Sequence, residues 1–195
     1  QAVRGSTDKT MVSIPVDVEQ LNAGNLQVKN LASQTLFARW IQQGKPKMDQ
    51  WKSESENLSM KTTYLTMEGA ALDISSIQKG TDFIVQTTIT NPGTRLVNVE
   101  NLALHQVFPS GWEIQNDRIS GAQTVVESSP FDYQDIRDDR VYTYFDLRKN
   151  ESKTFVILLN AAYKGSYYLP AVKCEAMYDN TINATKAGKW VEVVE

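Results

Sequence analysis

Apolar and polar residues alternate with period two along most of this 195-residue chain, and that periodicity leaves few folds open. In "TDFIVQTTIT" Phe83, Val85, Thr87 and Ile89 fall on one face, and Asn91-Pro92-Gly93 follows as turn chemistry. In "RVYTYFDL" Val141, Thr143, Phe145 and Leu147 alternate with Tyr142, Tyr144 and Asp146. "KTFVILLNAAY" reads as a strand buried on both faces, ended by Lys164-Gly165. Further strands are expected in "MVSIPVDV", "NLQVKN", "TLFARWIQQG", "LSMKTTYLTM", "NLALHQVF", "SYYLPAVKCEAMY" and "KWVEVVE". Short strands punctuated about every ten to fifteen residues by Gly, Pro and Asn suit sandwiches rather than βαβ units. The expectation is an all-β chain built on an antiparallel β-sandwich.

One shift in composition divides it. "GKPKMDQWKSESEN", residues 44–57, has almost no apolar side chains and reads as a linker, centred on 49–57. Residues 58–195 suffice for a complete sandwich, whereas 1–48, with about three strands, would bury only a meagre core alone. The N-terminal group is therefore expected to belong to something larger. A net charge of −3 supplies no basic excess for a phosphate backbone or an anionic membrane, so nucleic acid is not an expected partner. No run approaches the ~20 apolar residues of a bilayer span, so this chain is not expected to insert in a membrane directly. "QAVRGSTDKT" has no apolar core of a signal peptide; an exported protein would carry its signal outside this piece or have lost it.

The chain contains one histidine and one cysteine. A His-pair metal site and a Cys-based zinc site are thereby excluded, and a Ser-His-Asp constellation would have to use His105. In "NLALHQVF" His105 shares a strand face with Ala103 and Val107, where it is read as structural. Cys174 in "VKCEAM" is read as a small buried hydrophobe. No glycine-rich phosphate loop occurs. The cluster "DYQDIRDDR" holds Asp132, Asp135, Asp138 and Asp139, but Arg137 and Arg140 make it a self-compensating loop more readily than a Ca²⁺ site. Asn57, Asn150 and Asn183 open glycosylation sequons, a short pattern that recurs by chance. Tyr142, Tyr144, Tyr167 and Tyr168 could form a sugar-binding platform, although cross-strand aromatic pairs explain them more simply.

From "LSMKTTYLTMEGAALDISSIQKG" through "VQTTITNP" and "VENLALHQVFPSGWEIQN" the order of features resembles the C-terminal module of bacterial α2-macroglobulins. "DIRDDRVYTYFDL" is similar to that family's Arg-Asp-Asp-Arg strand entry. "YYLPAVKCEAMYDNTINATKAGKWVEV" is similar to its Leu-Pro…Glu-x-Met-Tyr ending and Ala-Thr-x-x-Gly turn. Upstream, "LQVKNLASQTLFARWIQQGKP" resembles the strands that complete a CUB-like β-domain after the thioester domain. The sequence departs from the pattern at His105, where the family tends to have Asp, and Cys174 lacks the Glu-Gln ending of a thioester motif.

The resemblance implies C-terminal strands of a CUB-like domain in 1–48 and a final macroglobulin-like domain in 58–195. It further implies a non-catalytic module of a protease trap, an endopeptidase inhibitor of host-defence type. Its partners would be the thioester domain of the same full-length protein and the target proteases. The location implied is the periplasm or cell envelope of a bacterium, with a lipid anchor through an N-terminus not included here. No metal or cofactor is expected, and this chain is not expected to be an enzyme. Met177 and Tyr178 match a Met-Tyr pair that in the family screens the thioester from water; Met177 as core filler beside an ordinary strand-end Tyr178 is the other reading. The alternative for the whole chain is an architectural or adhesive cell-surface sandwich without thioester function.

Overall fold

The computed structural model describes residues 11–16, 29–31, 33–39, 41, 43–44, 52–95, 97–115 and 127–195. The chain divides into two compact units, Gln1–Gly44 and Lys45–Glu195. In the first unit the described residues form no strand, and Met11 and Phe37 are largely exposed. The described parts of "MVSIPVDV", "NLQVKN" and "TLFARWIQQG" therefore do not bear out the three strands expected there. The remainder of those three stretches lies outside the described residues.

The described residues of the second unit form strands joined by turns and irregular connections. In chain order the strands are β1 (Glu54–Glu56), β2 (Ser59–Thr66), β3 (Ser76–Gln78), β4 (Asp82–Thr90), β5 (Val99–Val107) and β6 (Trp112–Gln115). There follow β7 (Tyr133–Ile136), β8 (Arg140–Leu147), β9 (Ser152–Ala161), β10 (Gly165–Leu169), β11 (Val172–Ala176), β12 (Asp179–Lys186) and β13 (Lys189–Val194). They build a six-stranded sheet in the order β1-β12-β11-β5-β8-β7, a four-stranded sheet β2-β4-β9-β6 and a three-stranded sheet β10-β13-β3. Among the described strands every pairing is antiparallel except β13 with β3.

The period-two pattern maps directly onto burial. Phe83, Val85, Thr87 and Ile89 are fully buried on one face of β4, and Val141, Thr143, Phe145 and Leu147 on one face of β8. β9 is buried on both faces, from Phe155 to Leu159, as its continuous apolar run requires. Two large apolar clusters fill the interior, and a third, smaller one of Ile84, Val156 and Leu158 lies on the other face of the four-stranded sheet. Of the large clusters, one joins Ile89 and Phe155 of the four-stranded sheet to Leu104, Phe145, Cys174 and Ala184 of the six-stranded sheet. The other joins Phe83, Trp112 and Leu159 to Val191, Val193 and Ile77 of the three-stranded sheet. Polar residues also lie inside the sandwich: Thr87 is bonded to Thr62 within its sheet and receives the amide of fully buried Gln106 from the opposite sheet, 3.1 Å away.

Four local features differ from the pattern reading. "SYYLPAVKCEAMY" is two strands in two sheets, because Pro170 has no N–H to give a ladder and Pro170-Ala171 carries the chain from β10 to β11. β12 was hidden by its polarity; only Ile182 and Ala184 mark its inner face. Glu54–Glu56, inside the stretch read as a linker, pair with β12 as an edge strand, and their charges suit that exposed position. Tyr133–Ile136 of the acidic segment form an edge strand on β8, while Arg137 pairs with Asp135 and Arg140 with Asp139.

Candidate functional site

One end of the sandwich gathers the β1–β2, β4–β5, β8–β9 and β11–β12 connections. The chain turns there by unusual means. Asn57, Asn101 and Asn150 all adopt positive φ, at 54°, 56° and 61°, a conformation that asparagine tolerates better than other side-chain-bearing residues. Gly93 joins them at φ 72°, and a Cβ there would run into Asn150. Asn91, only 3% exposed, fixes the β4–β5 loop: its Nδ2 donates to Val97 O at 3.0 Å, and its Oδ1 accepts from Gly93 N at 3.0 Å.

The β11–β12 hairpin projects from this end. Val172, Cys174 and Ala176 point into the core, so β11 is firmly seated up to its last residue. Ala176 lies opposite Asp179, leaving Met177 and Tyr178 as a two-residue turn. Met177 is 51% exposed and Tyr178 84%, against 7% for Ala176 just before them. An apolar pair held out in water at the end of a packed hairpin is what a contact surface presents.

Both legs of the turn are anchored. On one side Met177 N donates to Asn101 O at 3.0 Å, and Asn101 N in turn donates to Asp146 Oδ1 at 2.8 Å. On the other, the ladder breaks: Glu175 faces Asn183 while Ala176 faces Asp179, so residues 180–182 bulge out of register. Side chains serve the bulge instead. Asn57 Nδ2 donates to Thr181 O, and Asn183 Nδ2 to Asn180 O, each at 2.9 Å. Asp179 Oδ1 accepts from Thr181 N at 3.0 Å and from its hydroxyl at 2.6 Å. Arg95 Nη1 lies 2.7 Å from both Asp179 Oδ2 and Thr181 Oγ1. These donors, those of Thr181 first, hold the Asp179 carboxyl below its usual pKa. A depression of about 340 Å³ lies beside the tip, bounded by Arg95, Val97, Val99, Tyr178, Asp179 and Ile182.

The other sequence candidates lie elsewhere. His105 is half-buried on the outer face of the six-stranded sheet, opposite Lys173 and Tyr142, with its ring edge-on to Tyr142 at 4.9 Å. Burial lowers its pKa, with Glu175 opposing the shift. Cys174 faces the core on the other side of that sheet, 1% exposed, so no Cys-His pair exists. Burial also pushes its thiol far above the ordinary range. The tyrosines form cross-strand pairs, Tyr144 with Tyr133 and Tyr168 with Trp190. Among the described residues no group of three or more His, Cys, Asp or Glu converges as a metal site.

The profile of the bacterial α2-macroglobulin MG10 domain matches residues 57–180, which include Arg95, Met177, Tyr178 and Asp179. The chain belongs to the bacterial α2-macroglobulin family. An α2-macroglobulin of Pasteurella multocida (strain Pm70) is 27% identical over 161 residues, covering 82% of this chain and 8% of that relative's length. The chain thus spans a small fraction of the relative it matches. Its fold is similar to part of the Salmonella α2-macroglobulin reacted with methylamine, at TM-score 0.64 and 23% identity over 74% of this chain and 10% of the other. It is likewise similar to part of the trypsin-activated Escherichia coli α2-macroglobulin, at TM-score 0.63 and 19% identity over 73% of this chain and 11% of the other. Period-two patterning marks the strand that leads into the tip, β11, but not β12 after it, and the exposed turn between them is singled out by family resemblance alone.

Proposed function

We propose that this chain is the non-catalytic C-terminal module of a bacterial α2-macroglobulin-type protease trap, and that Met177 and Tyr178 dock on the thioester of the same full-length protein and shield it. The observation that carries the reading is the exposure of Tyr178, 84%, at the end of a hairpin whose neighbouring residues are buried or hydrogen-bonded. A thioester is lost when water attacks its carbonyl, leaving a carboxylate and a free thiol. A broad aromatic ring and a flexible thioether can cover such a bond and keep water from it. A small amine attacking the same carbonyl would give an amide and the same thiol, and the methylamine-reacted Salmonella relative fits that chemistry. The trypsin-activated Escherichia coli relative fits a trap triggered by a protease.

On this reading the sandwich holds the thioester domain in its resting position until cleavage elsewhere releases it, a two-state interface with its bias set outside this module. Residues 1–48 would close a CUB-like domain, and the setting is the periplasm or cell envelope. The test is made on the full-length protein. Methylamine should release one thiol per chain, and replacing Met177 and Tyr178 together with Ala should make that thiol appear severalfold faster in buffer alone. An unchanged rate in a protein that does release a thiol defeats the shielding role, and no releasable thiol leaves only a structural spacer.

A further inference from the structure

We infer that Arg95 is a positioning residue for the Met177–Tyr178 tip. Asp179 directly follows Tyr178, so its conformation sets the direction in which the tyrosine leaves the hairpin. The register shift at Glu175/Ala176 deprives this leg of ordinary ladder pairing, and the shape of residues 179–181 therefore depends on side-chain bonds. Asp179 and Thr181 bond to each other, and Asn57 holds the Thr181 carbonyl but neither of the side chains that shape the turn. Arg95 ties it to the body of the domain from a point 84 residues away in sequence, with Nη1 2.7 Å from both Asp179 Oδ2 and Thr181 Oγ1.

The loop that presents Arg95 is itself braced. Asn91 spans it through Gly93 N and Val97 O, and Thr94 Oγ1 donates to Asn57 Oδ1 at 3.0 Å, the same Asn57 whose Nδ2 holds Thr181 O. Arg95 and Asp179 remain 46% and 40% exposed, so their pair adds little to global stability. Its effect is local: it narrows the range of orientations open to the tip. The functional consequence rests on the docking reading proposed above, whereas the positioning is measurable without it.

The experiment compares this chain with its Arg95→Met, Arg95→Lys and Tyr178→Ala variants by amide hydrogen exchange and thermal melting, then carries each change into the full-length protein. Arg95→Met should speed exchange at the Met177 and Thr181 amides about two- to fivefold while leaving the melting temperature within about 3 °C. Arg95→Lys should restore most of the protection. Salt at 1 M should loosen the same amides in the unaltered chain and not further in Arg95→Met. In the full-length protein Arg95→Met should speed thiol appearance, in the same direction as Tyr178→Ala. Unchanged exchange at the tip overturns the inference, as does a loss of protection spread over β11 and β12 with a large fall in melting temperature. A loosened tip with unchanged thiol release, where Tyr178→Ala does raise it, overturns the role of Arg95 and leaves docking standing. Tyr178→Ala without effect removes docking, and tip exchange alone then decides whether Arg95 positions the turn.

Discussion

Gln106 offers the most direct test of how this sandwich is held together. It is fully buried on the inner face of β5, between the two large apolar clusters. Its Nε2 donates to Thr87 Oγ1, whereas its Oε1 has no partner. Gln106→Met keeps an unbranched side chain of similar length and removes both polar atoms. The lost hydrogen bond costs about 0.5–1.5 kcal/mol, and removing an unsatisfied buried carbonyl returns about 1–3 kcal/mol. Thr87 is not orphaned, since the Thr62 hydroxyl lies 3.4 Å away. The balance favours the variant by roughly 1 kcal/mol, which for a domain of this size raises the melting temperature by about 2–4 °C. Urea unfolding should give a higher midpoint at an unchanged slope. Destabilisation by more than about 1 kcal/mol would show that Oε1 is satisfied in the native protein and that the polar contact between the sheets stabilises the fold.

Cys174, packed with Leu104, Val172 and Ala184, should react with a maleimide far more slowly in the native chain than in urea, and Cys174→Ser should cost about 1–3 kcal/mol in urea unfolding. Rapid native labelling would contradict its burial, and it would also confound any thiol assay on the full-length protein. His105 has a folded pKa lowered by burial, so the folded chain resists a proton that the unfolded chain accepts below about 6.5. Stability from this site is complete above that value and lost as pH falls through the lowered folded pKa. The gap in urea midpoint between pH 7.5 and 5.5 should therefore shrink in His105→Gln, and an unchanged gap would refute the assignment.

Much of the architecture was written in the residues. Period two in β4 and β8 fixed which side chains enter the core, because a strand buried on one face must alternate, and the unbroken apolar run of β9 announced burial on both. β12 escaped because a strand beside an edge strand needs only two apolar contacts to be held, and Asn, Thr and Lys fill the rest. The acidic segment showed its charge compensation but not that part of it pairs with β8, since edge strands carry no hydrophobic signature.

The tip shows where sequence stops. Local pattern places Met177 and Tyr178 at the end of a strand and, by their apolar character, favours burying them. Their exposure follows from the register shift between β11 and β12 and from contacts made by Arg95, Asn57 and Asn101, all distant in the chain. The sequence by itself determined the all-β class, the strands with an apolar face and the interior fate of Cys174, because burial of alternating side chains is a local, additive preference. Tertiary structure alone decided which strands pair, which of two neighbouring polar residues on β5 is buried, and which way Tyr178 points. Those outcomes depend on hydrogen bonds between residues tens of positions apart, and a period of two contains no information about them.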